Sequence, residues 1–248
     1  MAFSLQGKTA IVTGGGTGIG RAVSTLLARQ GAAVAVVYSR SLKEAEDTVA
    51  CITQSGGTAL ALQADVASDV SVQAMVDRAA QELGGLDYLV NNAGITRQLR
   101  FDDLDAITGD IWDELMAVNV KGTFYCCRAA APHLRKRPGS GIVNVGSIAG
   151  DTGYGSSLPY AVSKSAVHGM TRSLARALAP HIRVNCIAPG AVETRWWAGH
   201  EDKMRALAGH VPLQRVSTPE DIAQSILMLL TAESITGQVL RAENGQTL

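Results

Sequence analysis

TAIVTGGGTGIG, residues 9–20, sets a short apolar run against a glycine-rich turn, and RAVSTLLARQ at 21–30 follows with apolar residues at helical spacing. A strand that turns through glycines straight into a helix leaves unbonded N–H groups and a positive dipole end at the turn. Glycine lets the backbone bend tightly and lets a phosphate approach it closely. Ordinary turns use glycine too, so the loop gains its meaning from its place at the head of a β-α unit. Its spacing, TGxxxGxG, is one residue wider than the general dinucleotide fingerprint GxGxxG.

Outward from this unit the same alternation continues. Apolar, β-rich runs lie at Thr9–Val12, Ala33–Val37, Ala59–Gln63, Tyr88–Val90, Ile142–Val145, Arg183–Ile187 and Gln238–Leu240. They are nearly continuous in apolar residues, as parallel strands covered on both faces are. Helical spacing fills 19–30, 42–55, 69–83, 110–136, 157–179 and 219–231. The last begins with Thr218 as N-cap, Pro219 in the first turn, and Glu220 and Asp221 at the positive helix end. The order predicts an α/β fold: a doubly wound, mostly parallel sheet of about seven strands with helices on both faces. No linker, repeat or low-complexity stretch divides the 248 residues, so one domain, 1–248, is expected. Segment 190–215, with Trp196 and Trp197, reads as a loop plus short helix and as a substrate lid.

Two further places carry chemistry. The second strand ends Val37-Tyr38-Ser39-Arg40-Ser41, where an NAD site would place a carboxylate for the ribose 2′-hydroxyl. Here no carboxylate stands, and Ser39 and Arg40 could hold a 2′-phosphate. Arg40 could equally be a solvated loop residue, with Ser41 capping the next helix. NADP(H) is thus the favoured cofactor and NAD(H) the alternative. Tyr160 and Lys164, four apart, share one helix face. A nearby ammonium lowers a phenol's pKa and fits it for proton transfer, although such a pair alone is also common surface decoration.

Taken with Asp65-Val66, NNAG at 91–94, Asn119, Ser147 and Pro189-Gly190, these motifs resemble the short-chain dehydrogenase/reductase family over essentially the whole chain, in its TGxxxGxG/YxxxK subtype. The resemblance implies a Rossmann-type fold and hydride transfer between a nicotinamide cofactor and a carbonyl or secondary alcohol. In it Tyr160 is the acid–base group and Lys164 binds the nicotinamide ribose and lowers the tyrosine pKa. Ser147 polarises the substrate oxygen, and Asn119 holds a water in a proton relay. It further implies that Gly14, Thr17, Gly18, Ile19 and Gly20 surround the pyrophosphate. Asp65 and Val66 meet the adenine, and Asn92, Ala93 and Gly94 line the ribose and the strand end. Pro189, Gly190, Val192 and Thr194 run along the nicotinamide. No metal is called for, and the five histidines show no ligand spacing.

The family often ends its last strand in Val-Asp-Gly-Gly; here Arg241-Ala-Glu-Asn-Gly stands instead. Residues 97–110 form a long acidic loop that, with 190–215, would shape the substrate mouth. The nearest look is to reductases of 3-oxoacyl chains on acyl carrier protein. Arg135-Lys136-Arg137 is then a candidate docking face, or else a set of cations at a helix end. The alternatives are an NAD-dependent dehydrogenase of a sugar, polyol or other secondary alcohol, and a non-catalytic cofactor-binding regulator. Net charge is zero, which gives no reason to expect nucleic acid or an anionic membrane as partner. Cys51, Cys126, Cys127 and Cys186 lack C-x-x-C spacing and read as small hydrophobes in a reducing compartment. The amino end lacks a signal-peptide pattern, and no apolar run approaches the roughly 20 residues of a membrane span. A cytoplasmic protein, a homotetramer by the family's habit, is the expectation.

Overall fold

The computed structural model describes residues 4–199 and 201–248, with backbone only at 201, 203 and 205. Seven parallel strands form one sheet: β1 (Thr9–Thr13), β2 (Ala33–Tyr38), β3 (Thr58–Gln63), β4 (Tyr88–Asn91), β5 (Gly141–Val145), β6 (Arg183–Pro189) and β7 (Val239–Ala242). Their spatial order is β3-β2-β1-β4-β5-β6-β7, so the chain starts in the middle, builds outward one way, and returns to build outward the other. The reversal at β1 and β4 opens a crevice at the strands' carboxyl ends, the usual ligand position in open α/β sheets.

Side-chain alternation along each strand feeds two cores. Ile11, Ala35, Val37 and Leu89 pack with α3 (Asp69–Glu82), α5 (Thr123–Leu134) and α7 (Leu158–Leu178). Ala10, Val12, Val34, Val36 and Val90 pack with α1 (Gly18–Arg29), α2 (Leu42–Gln54) and α9 (Pro219–Thr231) on the other face. Burial on both faces is why the strands show apolar runs instead of alternation. The doubly wound sheet with helices on both sides is as the sequence predicts. Helix α9 starts with the expected cap, extended to a full capping box: Thr218 Oγ1 accepts from Asp221 N, and Asp221 Oδ2 accepts from Thr218 N at 2.8 Å.

Three local features differ from the sequence reading. The helix expected over 110–136 is α4 (Gly109–Leu115), a π-helical turn (Met116–Gly122) and then α5. A four-residue helix, α6 (Ala149–Thr152), follows β5 where none was expected. The last strand is β7 at Val239–Ala242 instead of Gln238–Leu240, because Gly237 and Gln238 still belong to the turn that reaches it. Segment 190–215 contains a 3-10 turn (Arg195–Trp197) and α8 (Glu201–Ala208).

Candidate active site

The site is built at the carboxyl ends of β1, β4, β5 and β6. After β1 the chain turns through Gly14 and Gly18 at φ +63° and +49°, conformations that L side chains avoid. A Cβ on Gly14 would stand 2.9 Å from Asn92 Nδ2, and one on Gly16 2.8 Å from the Ala45 backbone. The loop is therefore a close-packed cradle that side chains cannot enter. Thr17 occupies the N-cap of α1, yet no side chain caps this helix and its first turn holds no acidic residue. Helices α3, α4, α7 and α9 are capped by a hydroxyl, whereas α1, like α2, has no side-chain cap; what sets α1 apart is that its open N–H groups follow directly on the glycine cradle, an arrangement suited to an anion.

Asn92 locks this cradle to β4. Its Nδ2 donates to Thr13 O at 2.9 Å and Gly14 O at 3.1 Å, while Thr13 Oγ1 accepts from Asn92 N and Ala93 N at 3.0 Å each. The Asn92 amide is thus occupied in holding the loop, leaving Ala93 and Gly94 to line the crevice. Thr13 is a supporting residue that the sequence reading missed. Gly20 has a packing role as well: a Cβ there would lie 2.1 Å from Gly14 O, so this glycine lets α1 press onto the loop. Ile19 is half-buried and packs with the core on that side.

Asp65 and Val66 follow β3. The exposed Asp65 accepts from Ala67 N at 3.0 Å, and buried Val66 lies against Gly122 at the end of the π turn. Ser39 and Arg40 sit exposed on the turn after β2. Pro189 O accepts from Ile148 N at 3.0 Å, Val192 bridges to Ser217, and Thr194 touches the Gly18 position. At Gly190 a Cβ would meet Gln246 and Glu243, so this glycine also makes room for the carboxyl-terminal tail.

Helix α7 carries the pair expected at the chemical centre. Ser157 caps it, accepting from Tyr160 N at 3.4 Å, which puts Tyr160 in the first turn, near the positive helix end. One turn on, Lys164 Nζ donates to Val145 O at 2.8 Å and stands 5.7 Å from the Tyr160 ring centroid. Both side chains are buried. Burial pushes the Tyr160 phenol up to about 12, with the Ser147 hydroxyl bond drawing it down, and pushes the Lys164 ammonium down to about 8. The sequence reading had Lys164 lowering the phenol pKa. Here desolvation is the larger influence on the phenol, and Nζ is directed to the Val145 carbonyl. Ser147 Oγ also accepts from Ala149 N at 3.1 Å.

The π turn aims Asn119 at this group. Asn119 is 1% exposed; its Nδ2 donates to Ile95 O and Ser163 Oγ at 3.0 Å each, and its Oδ1 accepts from Ile95 N at 2.9 Å. Both donors of the side chain are therefore committed, and a water would have to meet Asn119 through an acceptor. Ser163, which donates on to Tyr160 O at 2.7 Å, is a further member that sequence motifs did not single out.

The mouth is framed from two sides. Trp196 lies 5.6 Å from Tyr160, ring to ring, while Arg195 reaches Ser41 Oγ at 3.3 Å and Glu44 Oε1 at 3.5 Å on α2. Opposite, the 97–110 loop folds back on 154–156: Phe101 stacks on Tyr154 at 4.8 Å, and Leu99 N donates to Ser156 O. The basic triplet 135–137 is not part of this site. It follows the carboxyl end of α5 at the opposite end of the sheet, where the Arg137 guanidinium donates to Gly84 O after α3.

Comparison with known proteins agrees with this geometry. A family model described as enoyl-(acyl carrier protein) reductase matches residues 14–247. A 3-oxoacyl-[acyl-carrier-protein] reductase of Staphylococcus aureus is 36% identical over 96% of this chain and 97% of its own. Among solved structures, a dehydrogenase/reductase from Sinorhizobium meliloti superposes with a TM-score of 0.93 at 35% identity, covering 100% of this chain and 98% of that one. A short-chain dehydrogenase from Burkholderia cenocepacia in complex with NADP gives 0.90 at 39% identity, covering 98% and 99%. The chain belongs to the short-chain dehydrogenase/reductase family. It is an oxidoreductase that interconverts CH–OH and carbonyl groups with a nicotinamide cofactor. The uncapped α1 start and the cradle closed to side chains fit that cofactor's pyrophosphate.

Proposed function

We propose that the chain is an NADP(H)-dependent reductase of small ketones, of the 3-oxoacyl type, with Asn119, Ser147, Tyr160 and Lys164 as its chemical residues. The observation that carries the reading is the cluster at the start of α7, where the buried Tyr160 phenol, the Ser147 hydroxyl and the buried Lys164 ammonium converge. A bound nicotinamide supplies or accepts the hydride. Tyr160, held as a phenol by burial, donates its proton to the oxygen that gains charge during reduction and takes it back during oxidation. Ser147 orients that oxygen and donates a hydrogen bond to it. Lys164, with its pKa near 8, replenishes the tyrosine proton, and Asn119 fixes the backbone around the pair.

The preference for NADP(H) rests on the β2 end. Arg40 is exposed, is paired with no carboxylate among the described residues, and has Ser39 beside it; the turn Tyr38-Ser39-Arg40-Ser41 offers no acidic residue where a 2′-hydroxyl would be held. The 3-oxoacyl type is supported by the named relatives and by an aromatic mouth of Trp196, Phe101 and Tyr154. Residues 1–248 form one dinucleotide-binding domain in this reading, with 190–215 as its lid. No helix among the described residues is long and apolar enough to cross a membrane. A cytoplasmic homotetramer completes the proposal, and sedimentation at working concentration tests its assembly.

Steady-state kinetics with NADPH and NADH against oxoacyl thioesters, simple ketones and polyols tests the function. Arg40→Ala should weaken NADPH about 10- to 100-fold and NADH little, the worth of a charge-assisted phosphate contact. An equal effect on both cofactors would remove Arg40 as the phosphate ligand. Tyr160→Phe should abolish turnover while cofactor fluorescence titration stays near wild type.

A further inference from the structure

The chemical residues depend on a loop, 146–150, whose own support lies beneath it. Ser147 is tied to the first turn of α6 through Ala149 N, so whatever fixes α6 fixes the serine. The glycines on either side of this stretch share a neighbour. A Cβ on Gly146 would stand 2.5 Å from His168 Nε2, and one on Gly150 would stand 2.7 Å from His168 Cε1. The loop therefore wraps around the His168 ring, and both glycines are needed to admit it.

His168 projects from α7 one turn beyond Lys164 and is 2% exposed. Its Nδ1 lies 3.1 Å from Asp151 Oδ1, on α6. The other Asp151 oxygen accepts from Arg241 Nε on β7 at 2.9 Å. Burial works against the Asp151 charge, yet Arg241 and His168 draw its carboxyl below the usual range, so it accepts and Nδ1 donates. The His168 Nε2 is buried with no hydrogen-bond partner, as suits a neutral ring held for its shape and one donor.

We infer that His168 and Asp151 are a positioning pair for Ser147, joining the catalytic helix to the loop that carries the serine. The inference rests on the reading of Ser147 as a chemical residue. It assigns His168 no contact with substrate or cofactor.

A double-mutant cycle on kcat tests it. His168→Leu keeps the ring's bulk and removes the donor; it should lower kcat about 10- to 100-fold with KM for ketone and cofactor within about twofold. His168→Asn, whose amide nitrogen can stand in for Nδ1, should recover most of the loss. In a Ser147→Ala background, His168→Leu should cost almost nothing further, since the serine it positions is gone. Asp151→Ala, which removes the acceptor, read in the same two backgrounds, serves if His168→Leu does not fold. Undiminished kcat in the single variants, or an equal loss in both backgrounds, overturns the positioning role. Full activity of Ser147→Ala alone overturns the reading of the serine itself, and is told apart because it needs no change at 168.

Discussion

Lys164→Met should end turnover without a matching loss of stability, and the pH dependence of the difference should expose the ionisation of Lys164. Burial holds Lys164 at about 8, against 10.5 for a free lysine. A tenfold change in proton affinity is worth about 1.4 kcal/mol, so near pH 7 the folded chain carries this charge at a cost of about 3 kcal/mol. The hydrogen bond to Val145 O works the other way, at about 1.5–3 kcal/mol for a charged donor. The net near pH 7 is on the order of 0–2 kcal/mol in favour of methionine, too small to assign a cause. Its variation with pH is more telling. Because the folded pKa lies below the unfolded one, the cost is full below about pH 8 and fades towards 10.5, where the unfolded lysine also loses its proton. Near pH 9.5 about 1 kcal/mol remains, so the advantage of the variant should shrink by about 2 kcal/mol between the two conditions. Urea unfolding of both proteins, at equal protein concentration and at each pH, measures this. A difference that does not move with pH would refute the claim that Lys164 is held near neutrality by desolvation.

Gly20→Ala places a Cβ 2.1 Å from Gly14 O and 2.6 Å from Asn92 Nδ2, where backbone cannot retreat. It should cost about 2–3 kcal/mol, or roughly 4–12 °C in Tm for a chain of this size, and an unchanged Tm would show that the loop is not close-packed there. Thiol labelling near pH 7 should modify Cys51 alone in the native protein and all four cysteines in denaturant. Burial pushes Cys127 and Cys186 up to about 12 and raises Cys126 as well; fast native labelling of any second cysteine would contradict this.

What the sequence discloses is what depends on spacing along one element. The glycine loop, the doubly wound parallel sheet implied by repeated β-α units, the cap at Thr218 and the four-residue step from Tyr160 to Lys164 are all local patterns, and the structure returns each of them. The features that stay hidden are set by pairs distant in sequence. The stretch 116–122 keeps a helical composition, so nothing local announces a π turn; its purpose shows only when Asn119 meets Ile95 and Ser163. Arg137, one of three cations at a helix end in the sequence, meets its carbonyl partner Gly84 across 53 residues. The pKa shifts too depend on burial that spacing does not announce. Spacing brings Lys164 to Tyr160, whereas burial of both side chains sets the direction in which each shifts. His168 carries this furthest. On its helix it is one histidine among apolar neighbours, which reads as core. Only the missing Cβ atoms at Gly146 and Gly150 and the carboxylate of Asp151 turn that ring into the floor beneath the serine. A reading that treats each glycine as a cavity waiting for a neighbour would have found it, because a glycine inside a packed loop marks where another side chain must pass.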